Sequence, residues 1–385
     1  MIYLDYNATT PLDKRILDKM MPFLRDVYSN PSSVYRFAQK SRRAVEDARS
    51  QLAELLHAEP QEIVFNSGGT ESDNTAIKGI ALMHQDKGKH IITSKIEHHA
   101  VLHAFEFLEK LGFETTYLDV NEYGVVDLEQ LEKSIKKETI LVSIMYANNE
   151  VGTLQPIDQI AQICRKNQVY FHTDAVQAVG KIKLDVKKLG VDLLSLSAHK
   201  FYGPKGVGAL YVKKGVKLYP LLHGGGHERG FRSGTENVAG IVGLGEAARL
   251  ASLECADDEK KIRLLRDKLE KVIKNKIPEV KVNGHPQDRL YNTLNICIRH
   301  IEGESILMNL DFEEIAASSG SACTSGSLEP SHVLLAMGLA HEVAHGSLRL
   351  SLGKYTTTTD INKVLEVLPP IVERLRKMSP FWQNK

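Results

Sequence analysis

Between residues 60 and 215 the chain alternates short apolar runs with amphipathic helical patterns, and this alternation narrows its possible folds more than any other feature. The runs at 62–65, 90–93, 115–118, 140–145, 169–172, 193–197 and 208–212 are rich in β-branched or aromatic residues, and several end in polar or Gly-rich turns. Helical patterns lie between them. The helical stretch before the first run, 44–57, places Val45, Ala48, Leu52, Leu55 and Leu56 on one face. Strand and helix alternating at this spacing predict an α/β fold: a mostly parallel seven-stranded sheet covered by helices on both faces.

From 237 to about 280 the pattern turns to long helix, first largely apolar (237–255), then charged and amphipathic (257–276) with Ile262, Leu265, Leu269 and Ile273 on one stripe. Such a helix often links two units. Strand-like 291–298 and 347–352 and a helix from Asp360 then predict a smaller α+β unit. The expected division is a large unit over 15–255, with 1–14 and 256–385 in the small one. The length of 385 residues is enough for both.

Charge excludes some partners. With 49 basic against 48 acidic residues the net charge is +1, so nothing electrostatic favours nucleic acid or an anionic membrane. No uncharged apolar run approaches the roughly 20 residues that span a bilayer. Residues 1–6 lack the basic and apolar regions of a signal peptide. The expected location is the cytoplasm.

The four cysteines, at 164, 255, 297 and 323, form no CxxC and no metal-ligand spacing. Cys164 shares a helical face with Ile157, Ile160 and Ala161, and Cys297 sits in a strand-like run; both read as core. Cys255 lies in a charged helical stretch. Cys323 differs, because the run 318–327 consists of Ser, Gly, Ala and Thr around it. Such a run cannot bury enough apolar surface to hold itself rigid, so a mobile loop with an accessible thiol is expected. The thiolate is the form that attacks electrophiles and other sulfurs.

In an open α/β sheet, ligands collect outside the carboxyl ends of the strands. The first strand runs into Ser67, Gly68, Gly69 and Thr70 before a helix, which makes an anion nest or a plain N-cap turn. The fifth ends at Asp174, which could hold a positive ring nitrogen, bind a metal or cap a helix. The sixth is followed by His199 and Lys200, where partial desolvation favours a neutral, nucleophilic amine. Each has an ordinary reading when taken alone. Together, a lysine, an anion nest and a carboxylate for a ring nitrogen describe a pyridoxal 5'-phosphate (PLP) site.

At this point the chain resembles the PLP-dependent cysteine desulfurases of NifS/IscS type, in the class V aminotransferase superfamily. The resemblance rests on segments 3–11, 67–74, 96–101, 147–152, 172–177, 197–206, 223–235, 318–332 and 345–353, which run from end to end. It implies fold type I of the PLP-dependent transferases. It also implies that Lys200 bonds the cofactor, Asp174 pairs with its ring nitrogen and His98 stacks on its face. Asn149 and Gln177 would contact the phenolic oxygen side, and Gly69, Thr70, Ser197 and His199 would hold the phosphate. Thr235 would reach the phosphate of a partner subunit, implying a homodimer. Arg349 would grip the carboxylate of the substrate, L-cysteine, with Asn149 beside it. Cys323 would take the substrate sulfur as a persulfide, leaving alanine, and pass it to an iron–sulfur scaffold or another acceptor protein. No intrinsic metal is implied, although Cys323 could ligate a transient [2Fe-2S] cluster during transfer. The chain departs from the family after Asn30–Ser33, where Tyr35 and Ala38 stand near positions usually held by His and Gly.

Three rivals follow from the same sequence, one of them a degenerate, non-catalytic scaffold, which the presence of Lys200, Asp174, Arg349 and Cys323 together argues against. His341, Glu342 and His345 form a literal HExxH, the zinc motif of metallopeptidases, but Gly338 and Gly346 leave barely two turns of helix and no third ligand is evident. His223 and His227 flank three glycines that disfavour a helix aligning the rings. A selenocysteine lyase or a transaminase is another rival, and a transaminase needs no thiol such as Cys323.

Overall fold

The computed structural model describes residues 1–319, 329–380 and 382. The chain opens with strand β1 (Ile2–Tyr3) and helices α1 (Lys14–Arg25) and α2 (Ala38–Leu56). Helix α1 starts where the Asp13 carboxylate accepts the Arg15 N–H, filling one of the donors that a helix start leaves unpaired. Helix α2 buries Val45, Ala48, Leu52 and Leu56 as its spacing predicts, with Leu55 only half-buried, and it ends at His57 in the left-handed region.

Strand and helix then alternate: β2 (Ile63–Asn66), α3 (Gly69–His84), β3 (His90–Ser94), α4 (His99–Glu109), β4 (Glu114–Leu118), α5 (Leu128–Ser134), β5 (Thr139–Ser143), α6 (Ile157–Lys166), β6 (Tyr170–Asp174), α7 (Val186–Leu189), β7 (Leu193–Ser197) and β8 (Gly208–Val212). All seven expected strands form, with ends shifted by at most two residues. They make one sheet in the order β2-β8-β7-β6-β5-β3-β4. Only β8 runs against its neighbours. That reversal has a local cause: ten residues, 198–207, join β7 to β8, whereas parallel neighbours need a long crossover. This short connection carries Lys200.

Both faces of the sheet are covered. On one, Ile16, Leu52, Leu56, Phe171 and Leu196 share a core with the next helix. On the other, Ile77 and Ile80 of α3 and Phe105 and Leu108 of α4 pack on Leu193 and Leu210.

Helix α8 (Val238–Lys276) is a single helix of 39 residues. The change of composition near residue 256 marks a change of surroundings and no break in the helix. Its first half buries Ile241, Leu244 and Ala247 against the large sheet, and its second buries Ile262, Leu265, Leu269 and Ile273 in a separate core. That second core is built by β9 (Val280–Asn283), β10 (Thr293–Ile298), α9 (Gly303–Phe312), β11 (Ile315–Ala316), β12 (Ser347–Ser351) and α12 (Thr358–Met378), while α10 (His332–Ala336) and α11 (His341–Ala344) pack Val333, Leu334 and Ala344 in a smaller cluster with Ile96, Met145 and Val151. Strands β12, β10 and β9 form an antiparallel sheet in that order, and β1 pairs with β11 in parallel. Helix α12 begins two residues before Asp360, since Thr357 and Asp360 cap it reciprocally.

Of the HExxH residues, His341 and Glu342 lie in α11, a single turn, and His345 follows it just before β12, with the His341 and His345 rings 6.4 Å apart. Among the described residues no group of three potential metal ligands occurs. No described helix is long and apolar enough to cross a membrane.

Candidate active site

The carboxyl ends of β6 and β7 and the amino end of α3 share one edge of the large sheet. Lys200 stands three residues beyond β7, half-buried, and its Nζ donates to the main-chain carbonyls of Asn7 at 2.6 Å and Ala8 at 2.8 Å. The same N-terminal segment is tied to the Lys200 turn elsewhere. The Thr10 N–H donates to the His199 carbonyl at 2.9 Å, and the Tyr202 N–H donates to Thr10 Oγ1 at 2.8 Å.

Gly69, Thr70, Ser197 and His199 line one cavity of about 300 Å³, together with Thr9 and Lys205. Helix α3 starts at its wall without a side-chain cap on Gly68, so its first-turn N–H groups have no intrahelical acceptor. Gly68 adopts φ +147°, and a Cβ on Gly69 would come within 2.7 Å of Val176 Cγ2. Glycine is required at both positions, for backbone conformation at one and for space at the other. His199 donates or accepts at Thr9 Oγ1, 3.1 Å away. Burial, then the positive charges of Lys200, Lys205 and Lys181, hold its pKa down to about 4.

Asp174 closes β6 with its carboxylate buried, and Oδ1 accepts the Val176 N–H at 2.9 Å. Burial lifts its pKa to about 6, against the pull of that hydrogen bond and of Lys200. Asp73 lies deeper, and burial with the Asp174 charge pushes its pKa well up. His172, whose Nε2 is 2.9 Å from Ser195 Oγ and 3.7 Å from Asp73 Oδ1, is kept neutral by burial, with its pKa near 3. Two buried carboxyls therefore feel each other's charge, beside a neutral ring that bridges Ser143 and Ser195.

His98 caps α4: its Nδ1 accepts the Ala100 N–H at 3.1 Å, so the neutral ring carries its proton on Nε2. Burial, then Lys200 and the histidines 99, 332 and 103, lower its pKa to about 4.

The other half of the site comes from the second core. Arg349 lies in the middle of β12, buried, with Nη2 on Asp5 Oδ1 at 2.8 Å and Nη1 on the Asn149 carbonyl at 3.1 Å. Its Nε has no hydrogen-bond partner among the described residues. Asn149 enters the network through its main chain, since its carbonyl also accepts Asn7 Nδ2 at 3.1 Å. Gln177 donates Nε2 to the Asn7 carbonyl at 2.9 Å, and its Oε1 accepts Lys181 Nζ at 2.6 Å.

Asn7 joins the two halves, and sequence reasoning did not single it out. It bonds Ser351, Thr293, Asn149 and Asn292 through its N–H and side chain, and Gln177 and Lys200 through its carbonyl. Lys181 and Glu150 were also passed over. Glu150 is buried, with its pKa raised by burial, and accepts the Ser331 hydroxyl. Position in the 3–11 and 147–152 segments was the available signal for Asn7 and Glu150; for Lys181 it was a lysine four residues after Gln177.

These residues fit PLP. The cavity offers N–H groups and hydroxyls to a phosphate, and a buried carboxylate with no ion-pair partner among the described residues suits a protonated ring nitrogen. The unpartnered Arg349 Nε suits a further anion, such as a substrate carboxylate.

Thr235 lines a neighbouring recess of about 150 Å³, linked to the first through Ser67 and Gly206. Glu71 at the start of α3 pairs with Arg232 at 2.9 Å, which anchors the 232–235 turn there. Ala38 is buried at the start of α2, whereas Tyr35 is 54% exposed. Cys164 and Cys297 are core residues, and Cys255 is half-buried with Sγ 3.0 Å from the Lys181 carbonyl. Cys323 lies outside the described residues.

Residues 2–364 match the family model described as aminotransferase class-V. A cysteine desulfurase IscS of Methanosarcina thermophila is 56% identical over 99% of this chain and 94% of its own length. One of Dictyoglomus turgidum is 54% identical over 100% and 97%. Among solved structures, a NifS-like protein superposes with a TM-score of 0.92 at 41% identity, covering 97% of this chain and all of that one. The structure of SspA in complex with cysteine superposes with a TM-score of 0.82 at 38% identity, covering 93% and 100%.

Proposed function

This chain belongs to the aminotransferase class-V family and is a PLP-dependent enzyme, and from that premise we propose that it is a cysteine desulfurase. It converts L-cysteine to L-alanine and passes the sulfur, held as a persulfide on Cys323, to an acceptor protein, for iron–sulfur cluster assembly. The observation that carries this reading is the meeting of Lys200 and Arg349 around Asn7. One amine that can move a proton and one guanidinium that can hold a carboxylate are linked by three hydrogen bonds, through Asn7 and the Asn149 carbonyl.

In this reading Lys200 holds the cofactor, Asp174 its ring nitrogen, His98 its face, Asn149 and Gln177 its phenolic side, and Gly69, Thr70, Ser197 and His199 its phosphate. When bound, PLP supplies an electron sink for charge left on the substrate's α carbon. Arg349 orients L-cysteine by its carboxylate, using the Nε and the fork geometry that lysine lacks. The Lys200 amine takes the α proton. His98, neutral with its proton on Nε2, keeps a donor beside the reacting atoms without adding a positive charge. The Cys323 thiolate bonds the substrate sulfur as the carbon–sulfur bond breaks; that carbon keeps the electron pair and is protonated, and the Lys200 ammonium returns the α proton as alanine leaves.

The reading includes a homodimer, in which Thr235 of each subunit serves the other's phosphate. Tyr28, Val34 and Tyr35, with Leu221 and Leu222, are exposed apolar side chains that such an interface would cover. It also includes a cytoplasmic setting and Cys323 as a transient cluster ligand. The test uses purified protein with L-cysteine and a thiol reductant. Alanine and sulfide should form in equal amounts, and Cys323→Ala should keep the bound-cofactor absorbance and lose both products. A variant that released sulfide at the parent rate would sink the role of Cys323.

A further inference from the structure

Lys181 has no role in the reaction described above, yet it is only 6% exposed and lies against the residues that hold Lys200. It follows Gln177 by four residues in the turn after β6, and its Nζ reaches two neutral oxygens, Gln177 Oε1 at 2.6 Å and Asn7 Oδ1 at 3.5 Å. A buried amine is costly unless its hydrogen bonds repay the lost hydration, so its presence calls for a function. Burial, then the charges of Lys200 and Arg349, push its pKa well below the usual lysine value.

The geometry fixes one thing firmly. Lys181 Nζ donates to Gln177 Oε1, and the Asn7 carbonyl can only accept, so the Gln177 carboxamide is held with its oxygen toward Lys181 and its Nε2 toward Asn7. That carbonyl is the one on which the Lys200 amine rests. Without Lys181 the Gln177 oxygen loses its donor, and the carboxamide, held only by its bond to the Asn7 carbonyl, can tilt that oxygen toward Lys200 as a further acceptor.

We propose that Lys181 is a positioning residue for the Lys200 amine: it holds the Gln177 oxygen, keeps an N–H on the Asn7 carbonyl, and so denies Lys200 a further acceptor. The inference rests on the reading of Lys200 as the reactive amine. Other ionisable groups around the two amines are Asp174, His98, His199 and Lys205, Arg349 with its partner Asp5, and Cys255 against the Lys181 main chain. Each is unchanged in the variants below.

The test follows Lys200 itself in the full-length protein before cofactor is added. An acetylating N-hydroxysuccinimide ester is pulsed at a series of pH values, and the Lys200 peptide is quantified by mass spectrometry. Lys181→Met releases the Gln177 oxygen and removes a neighbouring amine. Both changes favour a protonated Lys200, so its labelling midpoint moves up by about one pH unit, or about tenfold less labelling near neutrality. Lys181→Arg, which still only donates, should keep the midpoint of the parent. An unmoved midpoint in Lys181→Met, or an equal shift in Lys181→Arg, overturns the proposal. If Lys181→Met does not fold, Lys181→Leu, which also cannot donate, takes its place with the same expected shift and the same overturning result. Alanine formation by the parent protein is measured separately: its absence would defeat the desulfurase reading and leave the labelling result standing.

Discussion

At the edge of the large sheet, Asp174 and Ser197 end their own strands and Lys200 follows in the next turn, whereas Arg349 sits mid-strand and meets the site through partners far along the chain. The cofactor half is held by neighbours that a parallel α/β sheet supplies wherever its strands end. The substrate half is held by contacts across almost the whole chain: Arg349 with Asp5, and the Asn7 N–H with Ser351 Oγ at 2.9 Å. The first half is rigid by architecture. The second exists only while the N-terminal segment stays threaded between the two cores. Damage to the first should therefore show in cofactor binding, and damage to the second in handling of cysteine.

The largest effect is expected for Lys200→Ala, with a loss of alanine formation of about a thousandfold or more and loss of the bound cofactor's visible absorbance. Next comes Arg349→Ala, which strips a buried, hydrogen-bonded charge from its site and leaves Asp5 unpaired. It should lower kcat/KM for cysteine by about a hundredfold, mostly through KM, with cofactor absorbance retained. Steady-state kinetics beside a spectrum of each protein would separate the halves. If Arg349→Ala lost the cofactor as readily as Lys200→Ala, the division would fail.

Asn7→Ala should fall between the halves. The main-chain carbonyl under Lys200 stays, but the side-chain links to Asn149, Thr293 and Asn292 go. A cost of about 2 kcal/mol in stability is expected from the unpaired buried groups, read by denaturant titration, with cofactor affinity nearly unchanged.

The smallest effect is a pH dependence of the cofactor-free protein. Asp174 has a folded-state pKa of about 6 against an ordinary 3.8. Between those values the folded state binds more protons than the unfolded state, so stability falls as pH rises. The cost of burying the charge is absent below about pH 4 and complete above about pH 6. Asp174→Asn should flatten that part of the stability profile, and thermal melts of both proteins across this range would show it. Parallel curves would mean that Asp174 is not the strained carboxylate.

The strand-end residues could be read from sequence because their signals are local: an apolar run, then Gly-Gly-Thr, Asp or His-Lys. The seven strands followed from the same alternation. Arg349 came only from resemblance, since nothing in the residues around it says that a buried arginine will meet Asp5. Asn7 and Lys181 stayed hidden because their roles arise from partners as distant as Asn292 and Ser351, or from a hydrogen bond that turns one amide. Helix α8 was legible as a long helix linking two units because a helix leaving one core for another becomes polar at the crossing without ending. HExxH could be weighed from sequence, where the flanking glycines already left too little helix, and α11 is a single turn.

The central claim is that this site delivers the sulfur of L-cysteine to Cys323. The most direct measurement is mass spectrometry of the holoenzyme after a brief exposure to L-cysteine without reductant. The account predicts one added sulfur atom on the peptide bearing Cys323, with one alanine formed per site, and neither in Lys200→Ala. Alanine formed with no added sulfur on that peptide, or sulfur carried by another cysteine, would contradict it.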